Sequence, residues 1–301
     1  MTIVSERPAA AAGGADPGRD IARLVMSCVD RPGIIASVAS FLHRSGANIV
    51  QSDQYSSDPT GGRFFLRVEF HLPGAAARLA EMERAFDEQV AERLGARFRF
   101  RDAAVRSRVA FFVSRYDHCL LDLLWQERRG ELSIKTVQVI SNHDRLRADV
   151  ASFGVPYVHI PVTTATKPEA ERRQLELLRG RVDLIVLARY MQILSGDFLA
   201  KCGVPVINIH HSFLPAFAGA GPYERARERG VKLIGATAHY ATEDLDEGPI
   251  IEQDVARVSH RDSVAELTRR GADIERTVLS RAVSWHCQDR VLLDGHTAIV
   301  F

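Results

Sequence analysis

From residue 109 onward, short stretches that are apolar on both faces recur along the chain, and this pattern limits the possible folds more than any other. The stretches are Val109–Val113, Thr136–Ile140, Tyr157–Ile160, Leu184–Ala188 and Val204–Ile209, separated by loop-length or helix-length segments such as Cys119–Arg129. A strand apolar on both faces must be covered on both, so such runs alternating with helices predict a mostly parallel α/β sheet sandwiched between helices. Ligands of such sheets sit beyond the carboxyl ends of the strands, and that edge is where chemistry is sought.

The front of the chain reads differently. Residues 1–19, with the small-sided run Ala9–Gly18, predict a flexible tail. Ile21–Val29 reads as a strand that stops at Asp30-Arg31-Pro32-Gly33, and Ile34–His43 places apolar residues at the three-and-four spacing of a one-sided helix. Ile49–Tyr55 and Arg63–Phe70 read as strands around the Pro59–Gly62 turn, Ala75–Leu94 as a second helix and Ala96–Phe100 as a last strand. The order β-α-β-β-α-β is that of a ferredoxin-like α+β domain over residues 20–101. The charge-rich stretch 102–108 reads as a linker, and 109–301 as the second domain.

The chain's 39 Lys+Arg balance 38 Asp+Glu to a formal charge of +1, so no overall field gathers nucleic acid or an anionic membrane. No apolar run reaches the roughly 18 residues of a membrane span. Cys28, Cys119, Cys202 and Cys287 lie far apart with no Cys-x-x-Cys pair, which argues for reduced cytoplasmic thiols rather than a metal or redox site.

Polar residues gather just past the run ending at Ile209. Asn208 and His210 are two apart and share a side on extended backbone, placing an amide donor beside an imidazole. His239 and the group Asp244, Asp246 and Glu247 follow, ending in Gly248-Pro249, where Pro249 restricts the loop that carries Asp246. A fixed carboxylate with an imidazole and an amide makes an acid–base site with its own oxyanion donor. Each also has a plainer reading: His210 as a core histidine, Asp246 as a turn former. A zinc set of His210, His211 and Asp246 is disfavoured, because adjacent strand histidines face opposite sides, and no metal is expected.

The stretches Asn208–Pro215, Gly235–Tyr240 and Leu245–Ile251 resemble the signature of folate-dependent formyl transferases and hydrolases. Over roughly residues 20–300 the chain is most similar to the formyltetrahydrofolate deformylases, and the Asp30–Ile34 segment resembles an ACT-type regulatory domain ahead of a Rossmann-like formyltransferase-type domain. The resemblance implies hydrolysis of 10-formyltetrahydrofolate, the substrate, to tetrahydrofolate and formate, supplying formate for purine synthesis and balancing the folate pool, with no cofactor required. It implies Asn208, His210 and Asp246 as catalytic, with His239, His118 and Cys119 in support. Tyr190, Met191, Gln192, Ile193, Leu194 and Phe213 are implied at the folate, against core packing as the alternative for several of them. Asp30, Arg31, Gly33 and Ile34 would receive an amino-acid effector, in a homo-oligomer built on dimers.

Two rival functions remain open: transfer of the formyl group to a small amine such as glycinamide ribonucleotide, and a non-catalytic sensor. Ser114–Leu120 contains no glycine and therefore no small-residue nest for a nucleotide phosphate, which disfavours transfer, although Arg108, Arg115 and Arg225 keep phosphate binding possible. A base role for Asp246 near neutral pH calls for surroundings that raise its proton affinity. The Phe217–Tyr223 stretch departs from the family pattern, leaving the adjoining loop undetermined.

Overall fold

The computed structural model describes residues 20–215 and 221–301 and divides the chain into two compact units, Met1–Val105 and Arg106–Phe301. The expected 1–19 tail and most of Phe217–Tyr223 lie outside the described residues.

The front unit runs β1 (Ile21–Val29), α1 (Ile34–Arg44), β2 (Asn48–Ser56), β3 (Arg63–His71), α2 (Ala75–Phe86), a π turn (Asp87–Ala91), α3 (Glu92–Leu94) and β4 (Arg97–Asp102). Its antiparallel sheet has the order β2-β3-β1-β4. Ala22, Leu24, Met26 and Cys28 alternate inward along β1, as a half-buried strand requires. They meet a cluster in which Phe86 contacts Phe41, Phe98 and Phe100 edge-on or tilted, with centroids 4.8–5.4 Å apart. The single helix expected over Ala75–Leu94 is one helical run loosened by the π turn. β4 extends through Asp102 and β5 begins at Ser107, because both ends find ladder partners, so only 103–106 connect the sheets rather than 102–108.

The second unit continues with β5 (Ser107–Val113), α4 (His118–Arg129), β6 (Ile134–Ser141), α5 (Arg147–Ala151), β7 (Tyr157–His159), α6 (Lys167–Leu178), β8 (Leu184–Leu187), α7 (Gly196–Cys202) and β9 (Val206–His210). It ends with α8 (Pro222–Glu228), β10 (Leu233–Tyr240), β11 (Ile250–Arg257), α9 (Val264–Cys287), β12 (Val291–Asp294) and β13 (Thr297–Val300). The sheet order is β11-β10-β9-β8-β5-β6-β7, parallel from β7 to β9, with β10 antiparallel to both β9 and β11. Along β5, Val109, Phe111 and Val113 enter one core with α4 and α9, while Ala110 and Phe112 enter another with α6 and α7. This is why the strand carries no polar face. A capping box, Ser263 with Glu266, starts the 24-residue α9.

The chain leaves β5 for β6 and β7 on one side, then returns to β8 and β9 on the other. The strand order therefore reverses between β5 and β8, and the loops after these two strands flank the crevice where such sheets bind ligands. Among the described residues no helix is long and apolar enough to cross a membrane.

Candidate active site

Asn208 and His210 stand at the carboxyl end of β9, and the antiparallel register places His239 of β10 directly opposite Asn208. Across that rung Asn208 Nδ2 lies 3.1 Å from His239 Nε2, while His239 Nδ1 lies 3.0 Å from the Tyr240 carbonyl oxygen. A carbonyl oxygen only accepts, so Nδ1 carries the His239 proton and Nε2 accepts from the Asn208 amide. A register shift between β10 and β11 falls at Ala238/His239, a local irregularity of the kind that re-aims side chains beside active sites.

Asp246 reaches the same point from the loop after β10. Its Oδ1 lies 3.2 Å from His210 Nδ1 and 3.7 Å from His239 Nε2. Two features hold this loop. The Pro249 carbonyl accepts from Tyr240 N at 3.0 Å, and Gly248 lies so close to the strand that a Cβ there would sit 1.7 Å from the Tyr240 oxygen. Only glycine fits. Asp246 itself has φ of 61°, the left-handed region that aspartate tolerates better than most residues.

The electrostatics follow from this packing. The hydrogen bond from His210 holds the Asp246 carboxyl below its ordinary range despite partial burial. Asp246 is therefore an ionised partner of His210, and the raised proton affinity that a base role near neutral pH calls for is not found. Burial lowers the pKa of His239 and, with the Arg189 charge, brings His211 down to about 4. His210 Nε2 is buried without a hydrogen-bond partner among the described residues.

These groups open on a cavity of about 300 Å³ lined by Asn208, His210, His211, His239, Asp246 and the segment Arg189–Leu194. Of the residues expected at the folate, Tyr190, Met191, Gln192, Ile193 and Leu194 line it and Phe213 does not. Phe213 is 42% exposed and packs beside Gly235, because β9 ends at His210 and the chain turns away. The Tyr190 hydroxyl accepts from Gln174 at 3.1 Å and its ring meets Phe112 at 5.2 Å, so much of this side chain belongs to the core; burial pushes its pKa up to about 12. The same strand end brings His211 to the cavity beside His210, with rings 5.3 Å apart, where opposite faces were expected of the two.

His118 and Cys119 are absent from the cavity wall. They begin α4, where His118 Nε2 lies 2.7 Å from Glu275 Oε2. Glu275, on α9, is 2% exposed; it also accepts from the Tyr223 hydroxyl at 2.9 Å and lies 3.4 Å from Arg189 Nε. Burial opposes its charge, yet the His118 hydrogen bond and the Arg189 charge hold its pKa below the ordinary value. Possible ligand atoms of His118, Cys119 and Glu275 lie within 4.8 Å of one another. Burial pushes the Cys119 thiol well up and Arg189 already supplies a cation, so this donor set is poorly matched to a second one.

Arg189, Tyr223 and Glu275 are not identified as site residues by the sequence, and His211 enters there only as a disfavoured zinc ligand. The signal for Glu275 is its place among Leu267, Gly271, Ile274, Val278 and Leu279 on the buried stripe of α9, where a lone carboxylate needs partners. In the front unit, Gly33 has φ of 91° and opens α1, Ile34 is buried in the core, Asp30 accepts from Ser56 and Arg31 donates to the Arg93 carbonyl.

The formyl transferase family model matches residues 107–283, and the ACT domain model matches 22–87. A formyltetrahydrofolate deformylase of Mycobacterium bovis is 62% identical over 282 residues, covering 94% of this chain and 91% of that protein. The chain belongs to the formyltetrahydrofolate deformylase family. The crystal structure of a family member, from Pseudomonas syringae, superposes with a TM-score of 0.89 at 44% identity, covering 93% of this chain and 94% of that one. Glycinamide ribonucleotide transformylase 1 of Symbiobacterium toebii matches less, with a TM-score of 0.61 at 30% identity over 65% of this chain and 94% of its own. Family membership thus accounts for both units, an ACT-like α+β unit followed by a mostly parallel formyltransferase-type α/β unit.

Proposed function

We propose that the chain hydrolyses 10-formyltetrahydrofolate to tetrahydrofolate and formate, and that Asn208, His210 and Asp246 carry the reaction. The observation that bears the most weight is the contact set in one cavity: Asp246 on His210, and His239 on Asn208. Water attacks the formyl carbon. Asn208 is oriented by its bond to His239, and its second amide hydrogen is offered to the oxyanion; losing one such donor typically costs about a hundredfold or more in rate. His210 takes the water proton at Nε2, Asp246 holds the resulting imidazolium through Nδ1–H, and the proton then passes to the departing N10. No step is routed through a metal or redox cofactor. The apolar side chains of Met191, Ile193 and Leu194 form the wall for the pterin.

Water as acceptor, rather than an amine carrying phosphate, is supported by the engagements of the groups that would otherwise hold a phosphate. Ser114 Oγ is committed to Asn142 at 2.6 Å and to Met191 N at 3.0 Å. Arg108 pairs with Asp183 at 2.8 Å, Arg115 donates to His143 at 3.3 Å, and neither Arg108, Arg115 nor Arg225 lines the cavity. The Glu275 carboxylate against the first residue of α4 repels a phosphate there.

The ACT match supports a small-molecule effector at the Asp30–Ile34 turn and assembly into dimers or multiples of them. The cysteines, all free thiols, suit a cytoplasmic setting. The test of function is turnover of 10-formyltetrahydrofolate with no amine present. Equimolar tetrahydrofolate and formate, abolished in Asp246→Asn, are expected; folate bound without turnover would indicate a sensor.

A further inference from the structure

We infer that the buried cluster of Arg189, Glu275, His118 and Tyr223 is the specificity element that closes the catalytic cavity to amine acceptors and so commits the formyl group to water. The inference rests on the hydrolytic reading above and deepens it.

Two departures from ordinary backbone preference serve this cluster. Arg189 adopts φ of 63°, a left-handed conformation unfavourable for a long side chain, and such strain persists where the surroundings enforce it. Its guanidinium, on a residue only 6% exposed, is enclosed between the Tyr116 ring, 4.8 Å from the centroid, and the Glu275 carboxylate. Gly271 lies mid-helix in α9, one turn before Glu275, where a Cβ would stand 1.8 Å from the Tyr223 hydroxyl oxygen. A glycine there weakens the helix and admits the tyrosine to Glu275. Both concessions bring charge and volume to one place.

That place backs the reacting groups. Arg189 and His211 line the cavity, the His211 ring lies 6.3 Å from that of Tyr223 on one side and 5.3 Å from that of His210 on the other. Glu275 and Tyr223 do not line the cavity, so the cluster fills space behind its wall without joining the Asn208–His210–Asp246 contacts. A second substrate on this side would have to displace a paired, buried arginine. Water needs no such room.

The test uses the full-length chain with 10-formyltetrahydrofolate and glycinamide, measuring formate and N-formylglycinamide together and subtracting the enzyme-free reaction. In transfer, the amine nitrogen bonds the formyl carbon, the carbon–N10 bond breaks with its electron pair on N10, and the proton lost by the amine ends on N10. Arg189→Gly relieves the backbone strain while emptying the space; Tyr223→Ala opens it from behind and leaves the Arg189 turn intact. The fraction of formyl groups reaching glycinamide should rise at least tenfold over the wild type in either variant that remains folded by circular dichroism. An unchanged fraction in folded Tyr223→Ala, whatever Arg189→Gly does, would overturn the inference. Formate release by the wild type without amine is scored separately, so failure of the hydrolytic reading is distinguishable from failure of this one.

Discussion

Asp246 Oδ1 stands 3.2 Å from His210 Nδ1, so the imidazole is held by one nitrogen while the other is buried without a hydrogen-bond partner among the described residues. Asp246→Asn removes the charge that supports the imidazolium and invites the wrong tautomer. Its kcat should fall about a hundredfold or more, with the circular dichroism spectrum unchanged. A carboxyl whose pKa is lower in the folded chain binds fewer protons there than when unfolded. Its stabilising contribution is therefore complete above the ordinary carboxylate range and lost as pH falls through the folded value; urea titrations on the acid side should show less pH dependence in Asp246→Asn than in the wild type.

His211 shifts stability with pH in the same direction but in a higher window, because its neutral form is the one the fold favours. With its folded pKa near 4, mainly through burial, it stays neutral where the unfolded chain would be protonated. Between about 4 and the ordinary histidine value of ~6.5 the unfolded state binds more protons, so stability rises with pH across this window. Carbon-detected NMR should show one imidazole titrating near the lower value, and His211→Gln should flatten the stability profile between the two.

Gly248→Ala tests the loop that carries Asp246. The added Cβ would lie 1.7 Å from the Tyr240 oxygen, a backbone atom that cannot swing aside. The loop must move, carrying Asp246 with it. A loss of roughly 2 kcal/mol or more of stability and at least a tenfold fall in kcat are expected, read by thermal melts and steady-state assay.

Gly271→Ala sets two effects against each other. Alanine favours a helix interior by about 1 kcal/mol over glycine, whereas a Cβ 1.8 Å from the Tyr223 hydroxyl oxygen overpacks a buried contact. Overpacking typically costs about 1–3 kcal/mol, so the net effect on urea unfolding should be destabilising, and Gly271→Ala combined with Tyr223→Ala should recover part of the loss.

Much of this molecule is legible in its sequence, for identifiable reasons. The doubly apolar runs translate directly into parallel strands because burial on both faces leaves no room for polar alternation, as Phe111 and Phe112 show by entering opposite cores. Asn208 and His210 share one short polar block and Asp246 sits in another, and the structure brings the three to one cavity. That His211 reaches the cavity beside His210 while Phe213 does not line it is not readable from sequence, because one residue of strand ending decides where each goes, and that end is set by pairing with β10. The π turn in the second front helix gives no periodic signal strong enough to read. Arg189 and Glu275 lie 86 positions apart, and nothing local reveals that they meet; only the carboxylate on the apolar stripe of α9 marks one half of the pair.

The central claim is that water itself attacks the formyl carbon. A single-turnover reaction in water enriched in oxygen-18, without amine, followed by mass spectrometry of the released formate, tests it directly. One heavy oxygen per formate and none in tetrahydrofolate is the predicted result; unlabelled formate, or no formate while the folate is consumed, would contradict it.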